Sequence, residues 1–320
     1  MKVLITGGAG FLGSHLTDAF LARGDEVTIL DVGSDLKVRH HLDNRRFHFI
    51  RDSIFSTEIL ESLVLKCDLV YHLAAVVGVE HYVGDPYEVL NVNINGTQAL
   101  LRLAYKHNRK VVFSSTSEVY GRNPRVPFGE DDERVLGSTR IDRWCYSTSK
   151  AAGEHFCFAY HRLGLPVVIL RYFNVYGPRL DKIDVGRVIT IFMGQVLRGE
   201  PVTVIGDGTQ TRCFTYVDDA IRATLEAGLN ERAEGEIFNV GTDVEHSILE
   251  LARTMIRIAG STSTIRFVPQ AAIYGESYED VPRRVPDPRR MQEILGVRAE
   301  TPLEKGLRQT IEWFQAGNGR

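Results

Sequence analysis

The stretch K-V-L-I-T-G-G-A-G-F-L-G, Lys2 to Gly13, reads as a short β-branched strand that runs into a glycine turn. S-H-L-T-D-A-F-L-A-R-G follows, with Leu16, Ala19 and Phe20 at helical spacing and Gly24 as a helix end. E-V-T-I-L-D is then a second strand that stops on Asp31. Strand, glycine turn, helix, strand, acid is the order of a dinucleotide site. The glycines permit a tight turn and let backbone N–H groups approach a pyrophosphate at the helix N-terminus. An acid ending the second strand accepts hydrogen bonds from the adenosine ribose hydroxyls and repels a 2′-phosphate. That favours NAD over NADP. The acid also lies about the ~20 residues beyond the turn that this geometry asks for.

The rest of the chain continues the alternation. D-L-V-Y-H-L-A-A (68–75) is a strand entering a small-residue turn, and K-V-V-F-S-S (110–115) and L-P-V-V-I-L-R (165–171) are two more. Between them, 86–107 reads as one amphipathic helix carrying Val89, Leu100, Leu101 and Leu103, and 147–163 as another. Such alternation predicts an α/β protein with a Rossmann-type, doubly wound parallel sheet over residues 1–172. A smaller α/β substrate unit is expected over 173–320. It is interleaved with the first, because I-F-N-V-G (237–241) reads as a strand returning to the main sheet near 237–250. P-V-T-V-I-G (201–206) reads as a strand of the smaller unit. Breaker-rich loops fall at 121–138, 176–187, 199–210 and 269–290, and long loops of this kind carry function in α/β enzymes.

Bulk properties narrow the class. The 320 residues are 43% hydrophobic and 25% charged, with a net charge of −3. Neither a nucleic-acid nor a membrane partner is expected from that balance. No apolar run approaches the ~20 residues of a membrane span. The chain opens directly on a strand, so no leader is expected. Cys67, Cys145, Cys157 and Cys213 are widely spaced, which fits free thiols in a reducing cytoplasm and indicates neither disulfides nor a metal site.

Chemistry enters in two places. W-C-Y-S-T-S-K puts Tyr146 and Lys150 four residues apart at a helix start, on one face. An ammonium near a phenol stabilises the phenolate and makes a usable base at neutral pH. The same lysine can hold a nicotinamide ribose. S-S-T-S-E-V-Y-G, Ser114 to Gly121, follows a buried strand, and Thr116 or Ser115 could hydrogen-bond the substrate oxygen being deprotonated. Glu118 in that stretch is either a solvated loop carboxylate or a proton donor or acceptor.

Together G-x-x-G-x-x-G, H-L-A-A, S-S-T-S, Y-x-x-x-K and R-Y-F-N-V-Y-G-P resemble the extended short-chain dehydrogenase/reductases that act on nucleotide sugars. The resemblance covers essentially the whole chain. It implies a catalytic core of Thr116, Tyr146 and Lys150. It implies NAD contacts from Gly7, Gly10, Phe11, Leu12, Gly13, Asp31, Asp52, Leu73, Ala75, Tyr146 and Lys150. The shared first step of these enzymes is oxidation of the sugar at C4. Members then differ: epimerases return the hydride to the other face, 4,6-dehydratases expel water, and decarboxylases lose CO2 from a 4-keto uronate, which is a β-keto acid.

Thr-Ser-Glu before Val-Tyr-Gly is more similar to the uronate decarboxylases than to the dehydratases, which usually carry Asp-Glu where this chain has Ser117 and Glu118. Y-G-E-S-Y-E-D-V-P-R-R-V-P-D (274–287) is similar to the corresponding segment of the UDP-glucuronate decarboxylases. That likeness implies that Arg284 reaches the substrate carboxylate and that Tyr278 lies on the nucleotide side. Val285 departs from the pattern, since a lysine often stands there. The R-W-x-Y lead-in from Arg143 points the same way. An arginine that holds the carboxylate orients it more than it drives its loss, because only interactions stronger in the transition state accelerate a step. Glu118 would then reprotonate C5. By resemblance Asn174 meets the diphosphate. Arg187 and Arg212 suit paired phosphate oxygens. Ser117, Val188 and Thr203 complete the substrate set. The expected activity is NAD-dependent decarboxylation of an NDP-glucuronate, with UDP as the nucleotide. A 4-epimerase is the nearest rival, a 4,6-dehydratase comes next, and a non-catalytic NAD sensor would have no need of the base. The resemblance also implies a homodimer paired through helices 86–107 and 147–163 as a four-helix bundle.

Overall fold

The computed structural model describes residues 1–269 and 281–317. Its centre is a seven-stranded, all-parallel sheet. Six strands come from residues 1–172: β1 (Lys2–Thr6), β2 (Glu26–Asp31), β3 (Phe47–Arg51), β4 (Leu69–His72), β5 (Lys110–Thr116) and β6 (Val167–Tyr172). The seventh is Ile237–Val240. Its order is Ile237–Val240, β6, β5, β4, β1, β2, β3. The order reverses beside β1, which opens a crevice at the carboxyl ends of the strands.

Helices cover both faces, so the strands are apolar throughout. Successive residues feed opposite layers: Val3 and Ile5 enter one core, Leu4 the other. In β6, Val168 and Leu170 face the first layer, Val167 and Ile169 the second. Ile237 pairs with Ile169 and Val240 with Tyr172, so the chain crosses into the smaller unit after β6 and comes back.

The smaller unit contains helix Val188–Arg198 and a parallel pair, Val202–Ile205 with Ile265–Val268. Thr211–Cys213 pairs antiparallel with Glu245–Ser247. Helices Ile248–Ala259 and Leu303–Gln315 pack behind them, the first started by a capping box of Ser247 and Glu250.

Two helices differ from the sequence reading. The span 86–107 divides into Pro86–Leu90, a π-helical turn Asn91–Gly96, and Thr97–Lys106. N-V-N-I-N-G is a poor helix former, and the Asn93 side chain is drawn away to the backbone of Val76. The second helix runs Arg143–Arg162, four residues longer at its start, which puts Arg143 one turn before Tyr146. Among the described residues no helix is long and apolar enough to cross a membrane.

Candidate active site

A cleft of about 1020 Å³ runs across the carboxyl ends of the sheet and into the smaller unit. It is lined by every site residue expected from sequence that falls within the described residues. Tyr278 lies outside them.

At the first end stands the glycine turn. Gly7 has φ +74°, and a Cβ there would meet the backbone of Ala74 at 2.6 Å. At Gly13 a Cβ would meet the Gly7 carbonyl at 2.4 Å. Helix α1 (Phe11–Arg23) starts after Gly10, which supplies no side-chain cap, and its first turn carries no acid. Its N–H groups are thus left for an anion. The Asp31 carboxylate accepts from the Ala9 N–H at 2.9 Å and the Gly33 N–H at 2.7 Å, which fixes it beside the turn. Asp52 accepts from the Ser53 N–H and the Ser56 hydroxyl at the cleft edge. Leu73 and Ala75 line the opposite wall. His72 of the H-L-A-A motif bridges Thr6 and Thr97 inside the core. Burial, the largest cause, lowers its pKa to about 3, so it stays a neutral structural link. This donor set fits NAD: glycines at the pyrophosphate, an acid at the ribose.

At the centre stand Tyr146, Lys150 and Thr116. Tyr146 is hydrogen-bonded with Thr116. Burial chiefly, then the Glu118 charge, raises the phenol to about 12, against Arg187, the Thr116 hydrogen bond and Arg284. The Lys150 ammonium is buried, donates to the Ser114 carbonyl at 2.8 Å and lies over the Phe113 ring. Burial lowers it to about 8. One turn on, Glu154 accepts from the Ser115 hydroxyl at 2.5 Å and forms a bidentate pair with Arg171. Arg171 also donates to the Tyr120 hydroxyl and the Glu130 carbonyl. This network clamps the ends of β5 and β6 to the helix of Tyr146. Of the two hydroxyls the sequence left open, Ser115 is thus committed to Glu154, and Thr116 is the one at the phenol.

Glu118 follows Thr116 in a short 3₁₀ turn, its N–H accepted by the Thr116 hydroxyl at 3.2 Å and its carbonyl accepting from Ser147. Its carboxylate is mostly buried at the cleft wall and paired with arginines. Arg284 donates to it at 2.8 Å and Arg143 at 3.4 Å. Burial raises its pKa, but Arg284 and Arg143, with Arg212 beyond, outweigh that and bring it to about 2. Arg284 is held in place because Phe128 pairs with its neighbours: the Phe128 N–H donates to the Val285 carbonyl and the Asp287 N–H to the Phe128 carbonyl, both at 2.8 Å. Arg143 carries a weight the sequence assigned only to a motif. Its one signal was the R-W-x-Y lead-in to Tyr146.

On the side of the smaller unit, Arg187 pairs with Asp181 at 2.7 Å and Arg212 donates to the Thr211 and Pro282 carbonyls. Asn174, at φ +41°, donates to the Cys213 carbonyl. Ser117 is buried at the root of the Glu118 turn, and Val188 opens helix Val188–Arg198. Thr203 exchanges two hydrogen bonds with Gln195, a cleft residue that no sequence pattern marked.

This fold and this cleft define a nucleotide-binding α/β enzyme. Residues 3–241 match the NAD dependent epimerase/dehydratase family, and the chain belongs to it. It is 41% identical over 315 residues to the UDP-N-acetyl-alpha-D-glucosaminuronate decarboxylase of Bacillus cytotoxicus, covering 98% of both chains. It is 37% identical to UDP-glucuronic acid decarboxylase 1 of Xenopus tropicalis, over 98% of this chain and 72% of the relative. Among solved structures it is similar to UDP-glucuronic acid 4-epimerase from Bacillus cereus in complex with UDP-glucuronic acid and NAD, at TM-score 0.87, 33% identity and 99% coverage of each chain.

Proposed function

We propose that the protein is an NAD-dependent decarboxylase of a UDP-uronate, either UDP-glucuronate or its 2-acetamido analogue. One observation carries this beyond the family: Arg284 and Arg143 converge on Glu118 beside Tyr146, a paired cationic site at the place where a C5 carboxylate would lie. A neutral hexose has no group for those charges.

NAD, when bound, supplies the acceptor for the C4 hydride and its return. Tyr146 takes the C4 hydroxyl proton, with Thr116 on the same oxygen and Lys150 holding the nicotinamide ribose. Burial holds the phenol at about 12, and Lys150, which donates to the Ser114 carbonyl, does not offset it as the four-residue spacing suggested; a cationic nicotinamide held beside Tyr146 would lower it. Loss of CO2 from the 4-keto uronate leaves negative charge on the C4 oxygen. Tyr146 and Thr116 are the donors to it. The arriving carboxylate competes with Glu118 for Arg284. Once freed, Glu118 loses the charge that kept it ionised, takes up a proton and delivers it to C5. Asn174, Arg187 and Arg212 hold the diphosphate end.

The similarity to a UDP-glucuronic acid 4-epimerase supports a second reading, since the same arginines would serve an enzyme that keeps the carboxylate. Incubation with NAD+ and each UDP-uronate, followed by mass spectrometry, separates them. A product lighter by one CO2 is expected. An isomer of unchanged mass establishes the epimerase, and no reaction with either uronate removes both readings.

The protein acts as a cytoplasmic homodimer in this reading. The free thiols and the NAD site support the compartment. The exposed Tyr87 and Tyr105, on the outer side of the helices between Pro86 and Lys106, support pairing there. Light scattering at twice the chain mass is the expected result.

A further inference from the structure

A second tyrosine lies against the first. Tyr82, on the short helix Val79–Gly84 after β4, is 6% exposed. Its ring stacks on that of Tyr146, centroids 5.6 Å apart and planes 20° from parallel. The approach is built. The Asn93 side chain accepts from the Val76 N–H at 2.8 Å and donates to the Val76 carbonyl and the Ser149 hydroxyl, both at 3.1 Å. Asn93 belongs to the π-helical turn, and Ser149 to the helix that carries Tyr146. The loop leading to Tyr82 is thereby tied to the helix whose phenol Tyr82 covers.

Polar groups also act on Tyr146: Thr116 by hydrogen bond, and Glu118, Arg187 and Arg284 by charge. These act on the phenol oxygen. A phenol's second torsion is broad, so they leave the ring plane loosely set. A stacked ring fixes it.

We propose that Tyr82 is a positioning residue: its ring holds the Tyr146 phenol in line with the sugar C4 hydroxyl and keeps water out while the sugar is in its keto form. This rests on the nucleotide-sugar reading above. The chemistry gives it a consequence. The proton and hydride removed from C4 must both return before a reduced product leaves. Each keto nucleotide that escapes strands one reduced cofactor on the enzyme.

The test uses the full chain with NAD, comparing the parent with Tyr82→Phe, Tyr82→Leu and Tyr82→Ala. Leucine fills much of the volume but cannot stack, so it serves where alanine fails to fold. With a UDP-uronate, the Leu and Ala variants should lose about tenfold or more in kcat with little change in KM. A larger share of their turnovers should end as keto nucleotide plus reduced cofactor, and Tyr82→Phe should keep the parent partition. An unchanged partition in folded Leu or Ala variants overturns the proposal, whatever their Tm.

A second readout needs no substrate. The Tyr146 phenol is titrated by ultraviolet difference against Tyr146→Phe, in the parent and in each Tyr82 variant. Loss of the covering ring readmits water and should move that titration down by about one unit. An unmoved titration overturns the proposal even in an active enzyme. A shifted titration in a protein that acts on neither uronate supports the positioning role and removes only the assigned reaction.

Discussion

Arg284 donates to Glu118 at 2.8 Å across 166 positions of sequence, and Arg143 reaches the same carboxylate from the helix of Tyr146. Glu118 therefore serves as the internal counter-ion of two buried arginines. A substrate carboxylate would be a replacement for it. In the proposed reaction that exchange would reconcile a glutamate held ionised with a step that needs an acid.

The first prediction concerns that exchange. Glu118→Gln should bind NAD as the parent does and lose turnover by roughly 10²- to 10⁴-fold, the range for a lost general acid. Calorimetry of UDP-uronate binding near pH 7, in buffers of different ionisation heat, should show proton uptake by the parent and none by the variant. Near-normal turnover in Glu118→Gln would end its role as the acid.

Stability against pH follows from the same pair. The Glu118 pKa is depressed, so its stabilisation is fully present above the ordinary value of 4.5 and is lost as pH falls toward about 2. At neutral pH, Glu118→Gln should melt lower than the parent, because it strands two buried guanidinium groups. The gap between the two melting curves should close from pH 4.5 downward. A gap independent of pH over that window would mean that the ion pair contributes nothing.

Arginine substitutions should separate recognition of the carboxylate from recognition of the nucleotide. Arg284→Ala should weaken UDP-uronate binding by about 30- to 1000-fold, the cost of stripping one member from a buried charge pair. UDP alone should bind as before, since it carries no carboxylate for Arg284 to meet. Arg143→Ala should do the same more weakly, given its longer 3.4 Å contact. Equal losses for UDP and for the uronate would place both arginines at the nucleotide.

The cofactor end can be tested by one methyl group. A Cβ at position 13 would lie 2.4 Å from the Gly7 carbonyl and 2.6 Å from the Gly8 Cα. Both obstacles are backbone, so neither can step aside. Gly13→Ala should abolish NAD binding in fluorescence titration while the smaller unit still binds UDP. Retained NAD affinity would show that the turn can open without harm.

How much of this could be read in advance differs by region. The dinucleotide half was legible because its signals are local: the turn, α1 and the acid on β2 lie within Lys2–Asp31, and each depends on neighbours a few positions away. Tyr146 and Lys150 were legible for the same reason, being one helical turn apart. The two arginines of R-R at 283–284 part on the structure: Arg283 pairs with Glu245 at the surface, and Arg284 turns inward. Nothing in the dipeptide distinguishes the two. The break in the span 86–107 was also hidden, because apolar spacing survives a π-helical turn.

The sequence by itself determined the class of cofactor and the order of the elements, since backbone conformation and strand or helix periodicity are set by residues close in the chain. The tertiary structure alone decided that Glu118 faces two arginines, that Ser115 serves Glu154 while Thr116 serves the phenol, and that Tyr82 covers Tyr146. Those are meetings of side chains from separate loops and helices. Their partners are fixed by where the loops close and how the layers pack, and no local pattern records that.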